Sequence, residues 1–256
     1  MTAPMIFTAE YYQRMRDLER DGWWNAAMRD IAAMLLRSAS LPGRGTMLDV
    51  GCGSGQTMAW FESLYPEWRT VGLDVAAEAL AAARAIGARV TRGSGLALPH
   101  ADQSVDLVIT LDVVQHLPLS GGDAIALAEM RRVLRPGGSV LLRTNAQAFP
   151  RVADDPVFNF HRYRPGELRA KLRAAGFEVL RLSRVNTILG LAEIPRELRA
   201  ARRNGDSRYR GILAPPPSGR GWTGHLKRRW LRLEGRAAAL GVRLPLGRTI
   251  VALCRA

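Results

Sequence analysis

The sequence predicts an α/β fold built on a seven-stranded sheet, and two observations predict it. An apolar, β-prone run over residues 46–50 leads into the glycine turn Gly51-Cys52-Gly53-Ser54-Gly55, and a helix-compatible stretch follows over 56–64. A second short apolar run, over residues 71–74, ends at the carboxylate of Asp74. In nucleotide-binding sheets, strand, tight glycine turn and helix form the first unit, and an acid at the tip of the second strand accepts hydrogen bonds from ribose hydroxyls.

The spacing of the glycines narrows the class of ligand. It is G-x-G-x-G with Asp49 shortly before the first glycine, whereas dinucleotide enzymes carry G-x-G-x-x-G. No cluster of lysine, serine and threonine follows, as it would in a phosphate-binding P-loop. Glycines are needed because a Cβ would keep the backbone from approaching a ligand, and because some turn positions need a positive φ. The turn therefore predicts a nucleoside ligand that carries no pyrophosphate.

The remaining elements follow in order from periodicity and turn residues. Residues 8–38 are predicted to be helical, with Thr8 as N-cap and with Ile31, Met34 and Leu35 at helical spacing. The Pro-Gly-Gly turn at 136–138 directs the chain back into the sheet, and Gly176 is a predicted C-cap. The predicted strands cover 46–50, 71–74, 90–91, 104–111, 139–144, 177–182 and 248–254, and the further helices cover 56–64, 76–86, 122–133 and 165–175.

Composition excludes several classes of protein. The 256 residues suffice for one large domain or a domain with a subdomain. No apolar run approaches the length of a membrane span, and the N-terminal stretch becomes charged too soon for a signal peptide. Two cysteines, Cys52 and Cys254, give neither a disulfide framework nor a metal-ligand cluster. We therefore expect a cytoplasmic protein without a transmembrane segment and without a metal.

The net charge of +14 is unevenly spread and consists almost wholly of arginine, since Lys171 and Lys227 are the two lysines. Between residues 196 and 236 there are twelve basic and three acidic residues. An arginine-for-lysine bias beside abundant alanine and glycine is also what codon usage in a GC-rich genome produces. The charge is therefore weaker evidence for a nucleic-acid partner than its size suggests, and we expect no nucleic-acid partner.

Five segments, the glycine turn and the run ending at Asp74 among them, together carry a resemblance to a known family. They are LDVGCGSG at 48–55, GLD at 72–74, LPHADQSVDLVI at 98–109, DVVQHLP at 112–118 and RVLRPGGSVLLR at 132–143. In order and spacing the sequence resembles the class I S-adenosylmethionine (SAM)-dependent methyltransferases, especially the ubiquinone/menaquinone methyltransferase-like (methyltransferase type 11) group, over roughly residues 45–182. The resemblance implies a Rossmann-like core, SAM as cofactor and S-adenosylhomocysteine as product.

The resemblance also implies which residues hold the cofactor. Asp49 and the glycine turn surround its methionine end, and Asp74 holds the ribose. Related sequences carry an acid after the third strand for the adenine amino group, whereas this chain has Gly93-Ser94-Gly95. That departure puts the usual adenine contact in doubt, and Ser94 or a backbone group is the substitute. The full predicted set is Asp49, Gly51, Cys52, Gly53, Gly55, Asp74, Val75, Ser94, Gly95 and Asp112.

The candidate catalytic residues are two histidines. His116 follows the fourth strand, at the edge where ligands bind in open α/β folds, and His161 lies after the fifth strand. A histidine titrates near neutral pH and can deprotonate an acceptor. The alternative for His116 is a side chain that packs and hydrogen-bonds in the turn. The predicted substrate pocket comprises Tyr11, Tyr12, Trp23, Trp24, His116, His161, Arg162 and Tyr163, with a surface position as the alternative for the last three.

Two segments flank the core. An N-terminal helical lid is predicted over 1–40, the core over 41–186, a helical insertion over 187–244 and the final core strand over 245–256. Packing of the N-terminal helix onto the sheet is the alternative to the lid.

In the insertion, Leu226, Trp230, Leu233, Ala237 and Leu240 form an apolar stripe at helical spacing. The insertion is interpreted as a cap over the acceptor site, a homodimer surface, or a basic face for membrane or RNA. Cap or dimer is favoured, because arginines interleave with the stripe.

The function predicted from these observations is methyl transfer from SAM to an O, N or C atom of a small-molecule acceptor, in secondary metabolism. Two alternatives stay open at this point. One is a methyltransferase that acts on RNA or on a lipid or quinone through the basic insertion. The other is a non-catalytic SAM-binding protein, which the intact glycine turn disfavours.

Overall fold

The computed structural model describes residues 22–147, 160–187 and 222–256, which form a seven-stranded sheet flanked by helices. The strands are β1 (Thr46–Val50), β2 (Arg69–Asp74), β3 (Val90–Arg92), β4 (Val105–Leu111), β5 (Leu134–Asn145), β6 (Glu178–Val185) and β7 (Thr249–Arg255). The helices are α1 (Trp23–Arg37), α2 (Gln56–Leu64), α3 (Ala77–Ala85), α4 (Gly122–Val133), α5 (Pro165–Ala174) and α6 (Trp222–Ala239), with a 3₁₀ turn at Val114–His116. The predicted fold class is confirmed.

Strand β5 begins earlier than the sequence predicts. The prediction places its start at Ser139, after the Pro-Gly-Gly turn, whereas the strand starts at Leu134. Leu134 pairs with Val105 across a register shift, so that the turn itself lies within the extended stretch. The backbone N–H of Gly137 donates to the carbonyl oxygen of Ala256, which fastens the turn to the segment after β7.

The sheet has the strand order β3-β2-β1-β4-β5-β7-β6. Adjacent strands from β3 to β5 are parallel, and β7 runs antiparallel between β5 and β6. The chain order reverses between β1 and β4, which makes this pair the topological switch point. In open α/β sheets, ligands bind outside the carboxyl ends of the strands at such a point. We call this edge, at the carboxyl ends of β1, β2 and β4, the ligand edge.

Each face of the sheet packs against its own set of helices, because alternate strand residues point to opposite sides. On one face, Val140 and Leu142 of β5 join a cluster with residues of α4 and α5. On the other face, Leu141 of β5 joins a cluster with residues of α1, α2 and α6. The N-terminal and C-terminal helices therefore share one face and one core.

Helices α1 and α6 run side by side in the same direction on that face. Lys227 lies over the Trp23 ring at 5.3 Å near their N-terminal ends, and Gly235 lies against Ile31 further along. A Cβ at Gly235 would stand 2.6 Å from Ile31 Cγ1, so the two helices approach too closely for any side chain at that position. Arg228 Nε donates to Asp30 Oδ2 at 2.7 Å across the same contact. Helix α1 thus packs against α6 and the sheet through its buried residues, which lie between Ala27 and Leu36. The predicted continuous helix over 8–38 is wrong at Gly22, whose backbone is extended, and residues 1–21 lie outside the described part of the chain. The lid over 1–40 stays a prediction.

Arg132 connects two of the segments that carry the family resemblance. Its guanidinium donates to the carbonyl oxygens of Leu98 (3.0 Å) and His100 (2.8 Å) and to the carboxylates of Asp102 (2.7 Å) and Glu129 (2.7 Å). One side chain on α4 therefore fastens the loop between β3 and β4. The LPHADQSVD and RVLRPGG segments meet through this network, so their role is architectural.

Among the described residues, no helix combines the length and the apolar character that a membrane crossing requires.

Candidate active site

The glycine turn between β1 and α2 adopts a backbone that favours glycine. Gly51, Gly53 and Gly55 have φ values of +79°, +51° and +79°. The N–H groups of Gly51 and Cys52 both donate to the carbonyl oxygen of Leu73 on β2, at 2.7 and 3.0 Å. A Cβ at Gly51 would lie 2.2 Å from Val113 Cγ2. The inner side of the turn is therefore closed by protein atoms.

The outer side of the turn is open. A Cβ built on Gly53 would meet no atom within 4 Å, so the backbone there borders empty space. The Gly53 N–H donates to Asp74 Oδ2 at 2.9 Å, and the Ala76 N–H donates to Asp74 Oδ1 at 2.9 Å. A carboxylate oxygen accepts two hydrogen bonds, so each oxygen of Asp74 retains one acceptor position. Asp74 can thus accept two further hydrogen bonds beside the open cradle.

Asp49 and Cys52 lie below this cradle and are both buried. Burial, reinforced by the charges of Asp49 and Asp74, raises the pKa of the Cys52 thiol well above its usual range. The thiol is therefore protonated at neutral pH, which makes it a poor nucleophile. A Cβ at Gly72 would come within 2.9 Å of Cys52 Sγ, so the thiol fills the space between turn and sheet.

Val75 and Ser94 lie at the same edge of the sheet as the glycine turn, directly after β2 and shortly after β3. Val75 is more than half exposed and directly follows Asp74. The Ser94 hydroxyl oxygen accepts a hydrogen bond from the Leu96 N–H at 3.2 Å, and Gly95 follows it in the same turn. A hydroxyl retains one donor and one further acceptor position in this arrangement. Ser94 can therefore still bond a ligand, although it carries no charge for an amino group.

Asp112 at the end of β4 is held by an arginine that is not among the predicted site residues. Arg143 of β5 donates to Asp112 Oδ2 through Nη2 at 2.6 Å and through Nε at 3.0 Å. The ring of Trp24 on α1 covers the guanidinium at 4.9 Å. Asp112 has a φ of +60°, which is uncommon for a residue other than glycine and marks functional sites more often than others. An arginine one residue before the end of an apolar strand run is the signal that could have found this pair.

His116 lies in the 3₁₀ turn beside the ring of Phe160, with 5.1 Å between the ring centroids. Burial lowers the pKa of His116 to about 4, and the nearby charge of Asp112 opposes this only in part. The imidazole is therefore neutral at pH 7 and weakly basic. A general base works best when its pKa lies near the working pH, so the structure favours the packing interpretation of His116.

The segment at 160–163 lies beside the 3₁₀ turn. The His161 N–H donates to the carbonyl oxygen of Gln115 at 2.9 Å, and His161 Nε2 lies 2.7 Å from Glu167 Oε1. Arg162 stacks over the Phe160 ring at 4.6 Å. His161 lines a cavity of about 60 Å³ beneath the turn, together with Glu167 and Lys171. His161 is thus anchored by a carboxylate at the wall of a small cavity.

Tyr163 is buried and lines the same small cavity as His161, so a surface position does not fit it and its role in the substrate pocket stays a prediction. It is 1% exposed, and its hydroxyl lies 3.0 Å from Asp123 Oδ2 and 3.2 Å from the carbonyl oxygen of Val114. Lys171 Nζ lies 2.9 Å from the same Asp123 oxygen. Burial alone would raise the pKa of Asp123, but the hydrogen bonds from Lys171 and Tyr163 lower it below its usual value. The Tyr163 hydroxyl therefore stabilises a buried carboxylate.

The structure brings together only part of the predicted pocket. Trp24 and Arg143 lie at the end of β5, and His116 with Phe160 lies beyond the end of β4. Tyr11 and Tyr12 lie outside the described residues. Within the described ranges, no group of three or more His, Cys, Asp or Glu side chains is placed to hold a metal ion.

Comparisons with known proteins agree with this geometry. Residues 48–142 match a family model described as a methyltransferase domain. The chain is 34% identical over 147 residues to trans-aconitate 2-methyltransferase of Azoarcus sp., covering 55% of this chain and 53% of that protein. It is 30% identical over 181 residues to malonyl-[acyl-carrier protein] O-methyltransferase of Dechloromonas aromatica, covering 66% of this chain and 67% of that protein.

Solved structures agree on the fold. The chain that forms a complex with the Haloferax volcanii Trm112 methyltransferase activator matches with a TM-score of 0.62 and 18% identity, covering all of this chain and 99% of that chain. This likeness concerns the fold alone. The chain spans about half the length of most of the curated relatives it matches.

A mostly parallel sheet with a left-handed glycine turn and an acid at the tip of the second strand is typical of a nucleoside-binding α/β protein. With the domain match and the relatives above, the chain belongs to the class I SAM-dependent methyltransferases. SAM is the cofactor of this family, and the described residues fit it, because the open cradle at Gly53 adjoins the two remaining acceptor positions of Asp74. The narrower resemblance to the ubiquinone/menaquinone group stays a prediction.

Proposed function

We propose that the chain transfers the methyl group of SAM to an O, N or C atom of a small-molecule acceptor in the cytoplasm, as part of secondary metabolism. The observation that carries the proposal is the open cradle at Gly53, bordered by an Asp74 carboxylate that is oriented by two backbone N–H groups. SAM is a sulfonium ion without a pyrophosphate, which agrees with a turn that lacks phosphate-binding chemistry.

In this proposal the cofactor lies along the ligand edge. Asp74 accepts hydrogen bonds from both ribose hydroxyls, and the glycine turn borders the methionine end. Val75 packs on the adenine, whose usual acidic partner is replaced by the Ser94 turn. The proposed cofactor-binding set is Asp49, Gly51, Cys52, Gly53, Gly55, Asp74, Val75, Ser94, Gly95 and Asp112.

The chemistry of methyl transfer asks mainly for alignment. Bound SAM supplies a methyl group that is electrophilic because it is attached to a positively charged sulfur. The protein must hold an acceptor in line with that bond and exclude water, so a strong base is optional. The low pKa of His116, about 4, suits this requirement. It favours acceptors that need little deprotonation, such as an ionised acid or a neutral amine.

The acceptor is proposed to enter beside α1, where Trp24 covers the Asp112–Arg143 pair. The Trp24 ring offers an apolar wall there, while the Arg143 side chain beneath it is 13% exposed and already paired with Asp112. The names of two relatives specify trans-aconitate and malonyl-[acyl-carrier protein] as acceptors, the second through oxygen. An oxygen acceptor on an acid is therefore the first acceptor class to try.

The cofactor assignment is tested with Asp74→Ala and isothermal titration of SAM. We expect affinity to fall at least about tenfold, since two hydrogen bonds to a charged group are lost. Because Asp74 also holds the Gly53 N–H, Asp74→Asn serves as a second variant that keeps one acceptor oxygen. Glu67→Ala is the matched control, because this carboxylate is exposed and precedes β2, at the opposite end of the strand from Asp74. A Kd within a factor of two of the unmodified protein for Asp74→Ala would overturn the ribose assignment.

The acceptor assignment is tested by label transfer. Purified protein is incubated with methyl-labelled SAM and a lysate of its source organism, and the label is followed into small molecules, lipid and RNA. Label in the small-molecule fraction supports the proposal. Label in lipid or RNA contradicts the small-molecule acceptor. No label in any fraction with intact SAM binding means either that the lysate lacks the specialised acceptor or that the protein is a non-catalytic SAM-binding protein.

A further inference from the structure

Helix α6 carries a row of apolar side chains on its outer face, which we call the outer stripe. It consists of Leu226, Trp230 and Leu233, which are 59%, 40% and 53% exposed, and of Leu240, which directly follows the helix and is 82% exposed. The spacing of four and three residues places Leu226, Trp230 and Leu233 on one face of the helix. Single exposed leucines are ordinary, but a contiguous exposed apolar row marks an interaction surface.

The outer stripe is separate from the core. The residues of α6 that pack inward are Leu231, Gly235 and Ala238, which lie against α1 and the sheet. Leu231 is three residues from Glu234 and four from Gly235, so the buried row follows its own helical spacing. Helix α6 is therefore apolar on two opposite sides, and only one of them stabilises the fold.

The flanks of the outer stripe are basic. Helix α6 contains five basic residues and one acid, Glu234. Glu234 is 5% exposed and accepts hydrogen bonds from Trp230 Nε1 at 2.6 Å and from the Thr187 N–H at 3.1 Å. Within the part of the chain that the structure describes, no carboxylate pairs with Arg229 or Arg236, and both are exposed. The helix thus presents apolar side chains and unneutralised cations to solvent.

We propose that the outer stripe and its flanking arginines dock the protein onto an anionic membrane surface. A helix with leucine and tryptophan on one face and arginine beside them lies in the plane of the headgroups, where the apolar row enters the acyl boundary. Each arginine near such a surface adds electrostatic attraction to anionic lipids. The row is one helix long and does not span the bilayer.

The composition of the surface favours lipid over other occupants. In a two-fold dimer the same surface meets itself, so the arginines of two copies would approach with no acid of α6 left to neutralise them. The phosphates of RNA could bind the arginines, but RNA offers no apolar environment in which the three leucines could be buried. An anionic bilayer can bury the apolar side chains of the outer stripe in its acyl boundary while its headgroups bind the flanking arginines.

Docking would also orient the ligand edge. Because α1 and α6 run in the same direction, their N-terminal ends lie together near Trp23 and Trp24. A protein seated on α6 would therefore hold its acceptor entrance close to the lipid headgroups. The inference itself concerns the surface and does not depend on the proposed reaction.

The test is cosedimentation of the full chain with vesicles. Vesicles of equal parts phosphatidylglycerol and phosphatidylcholine are compared with vesicles of phosphatidylcholine alone. We expect binding to the anionic vesicles that weakens as salt is raised. Arg229→Gln with Arg236→Gln should lower the partition coefficient by about 30-fold, which is about fivefold per arginine.

The apolar half of the surface is tested by Leu226→Ser with Leu233→Ser, for which we expect at least a roughly tenfold loss of partitioning. The matched control is Leu64→Ser with Ile125→Ser, which are 41% and 51% exposed elsewhere on the surface and should leave binding unchanged. SAM affinity, measured on every variant, shows that each is folded. Because SAM affinity and vesicle binding are read separately, either assignment can fail alone.

Three results would overturn the proposal. The first is that the protein binds neutral and anionic vesicles equally well, or that it binds neither kind. The second is loss of vesicle binding in the control pair to the same extent as in the stripe pair. The third is a concentration-dependent dimer, or tight RNA binding, that disappears in the Leu226 and Leu233 variant while vesicle binding is absent.

Discussion

Substituting Gly53 with alanine separates the cofactor cradle from the stability of the fold. The residue has a φ of +51°, so an alanine there pays the cost of a left-handed backbone, about 1 kcal/mol. No protein atom lies within 4 Å of the added methyl group, so no clash adds to this cost. The methyl group instead occupies the space proposed for SAM. We expect the affinity for SAM to fall at least about tenfold, which is about 1.4 kcal/mol.

Gly137 provides the matched control for this substitution. It has a φ of +78°, and a Cβ there also meets nothing within 4 Å, but it lies in the Pro-Gly-Gly turn beside Ala256, away from the glycine turn. Gly137→Ala should therefore cost the same roughly 1 kcal/mol of unfolding free energy and leave SAM affinity unchanged. Urea denaturation gives the stability of both variants, and isothermal titration gives their SAM affinity.

Gly51→Ala gives the opposite pattern, because its methyl group would lie 2.2 Å from Val113 Cγ2 inside the protein. We expect a loss of about 2–4 kcal/mol of stability from overpacking and backbone strain together. If Gly53→Ala binds SAM as well as Gly137→Ala does, the open side of the turn is not the cofactor cradle. If Gly53→Ala is as unstable as Gly51→Ala, the space beside Gly53 is not open.

Three further predictions concern the described side chains. The low pKa of His116, about 4, means that its contribution to stability is complete above pH 6.5 and is lost as the pH falls toward 4. His116→Asn should flatten this acid branch of the stability curve by about 3 kcal/mol, as measured by urea denaturation at several pH values. Arg143→Gln should destabilise the fold by about 2 kcal/mol, and Asp112→Asn added to it should recover part of that loss, which a double-mutant cycle measures. Gly235→Val should cost about 2 kcal/mol or more because its Cβ lies 2.6 Å from Ile31 Cγ1, and Ile31→Ala should recover part of the loss in thermal unfolding.

The sequence predicts the core of the fold well because its signals there are local. The glycine turn, the acid at Asp74 and the apolar strand runs each act over a few residues. The structure has the runs as strands of the sheet, and it places the turn and Asp74 at the ligand edge where β1 and β2 end. The same locality explains the position of α2, which matches its predicted bounds of 56–64. The backbone conformation of such a segment can therefore be predicted from its own residues, without knowing which segments it contacts.

Contacts between distant segments could not be read in this way. Asp112 and Arg143 are 31 residues apart, and only the pairing of β4 with β5 brings them together. The stripe on α6 illustrates the same limit, since periodicity identifies an apolar face but cannot say which face the core takes. Leu231, Gly235 and Ala238 are packed inward, because the absence of a side chain at Gly235 lets α6 approach Ile31. Tyr163 is a third case, because its buried partner Asp123 lies 40 residues away.

The place of β7 in the sheet has a consequence for synthesis of the chain. Residues 249–255 pair with β5 on one side and with β6 on the other, although both of those strands leave the ribosome earlier. A nascent chain that has reached α6 therefore exposes two unpaired strand edges at the middle of its sheet. Such edges promote association between chains. Yield in recombinant expression should accordingly respond to growth temperature and to chaperone supply more strongly than the stability of the finished protein suggests.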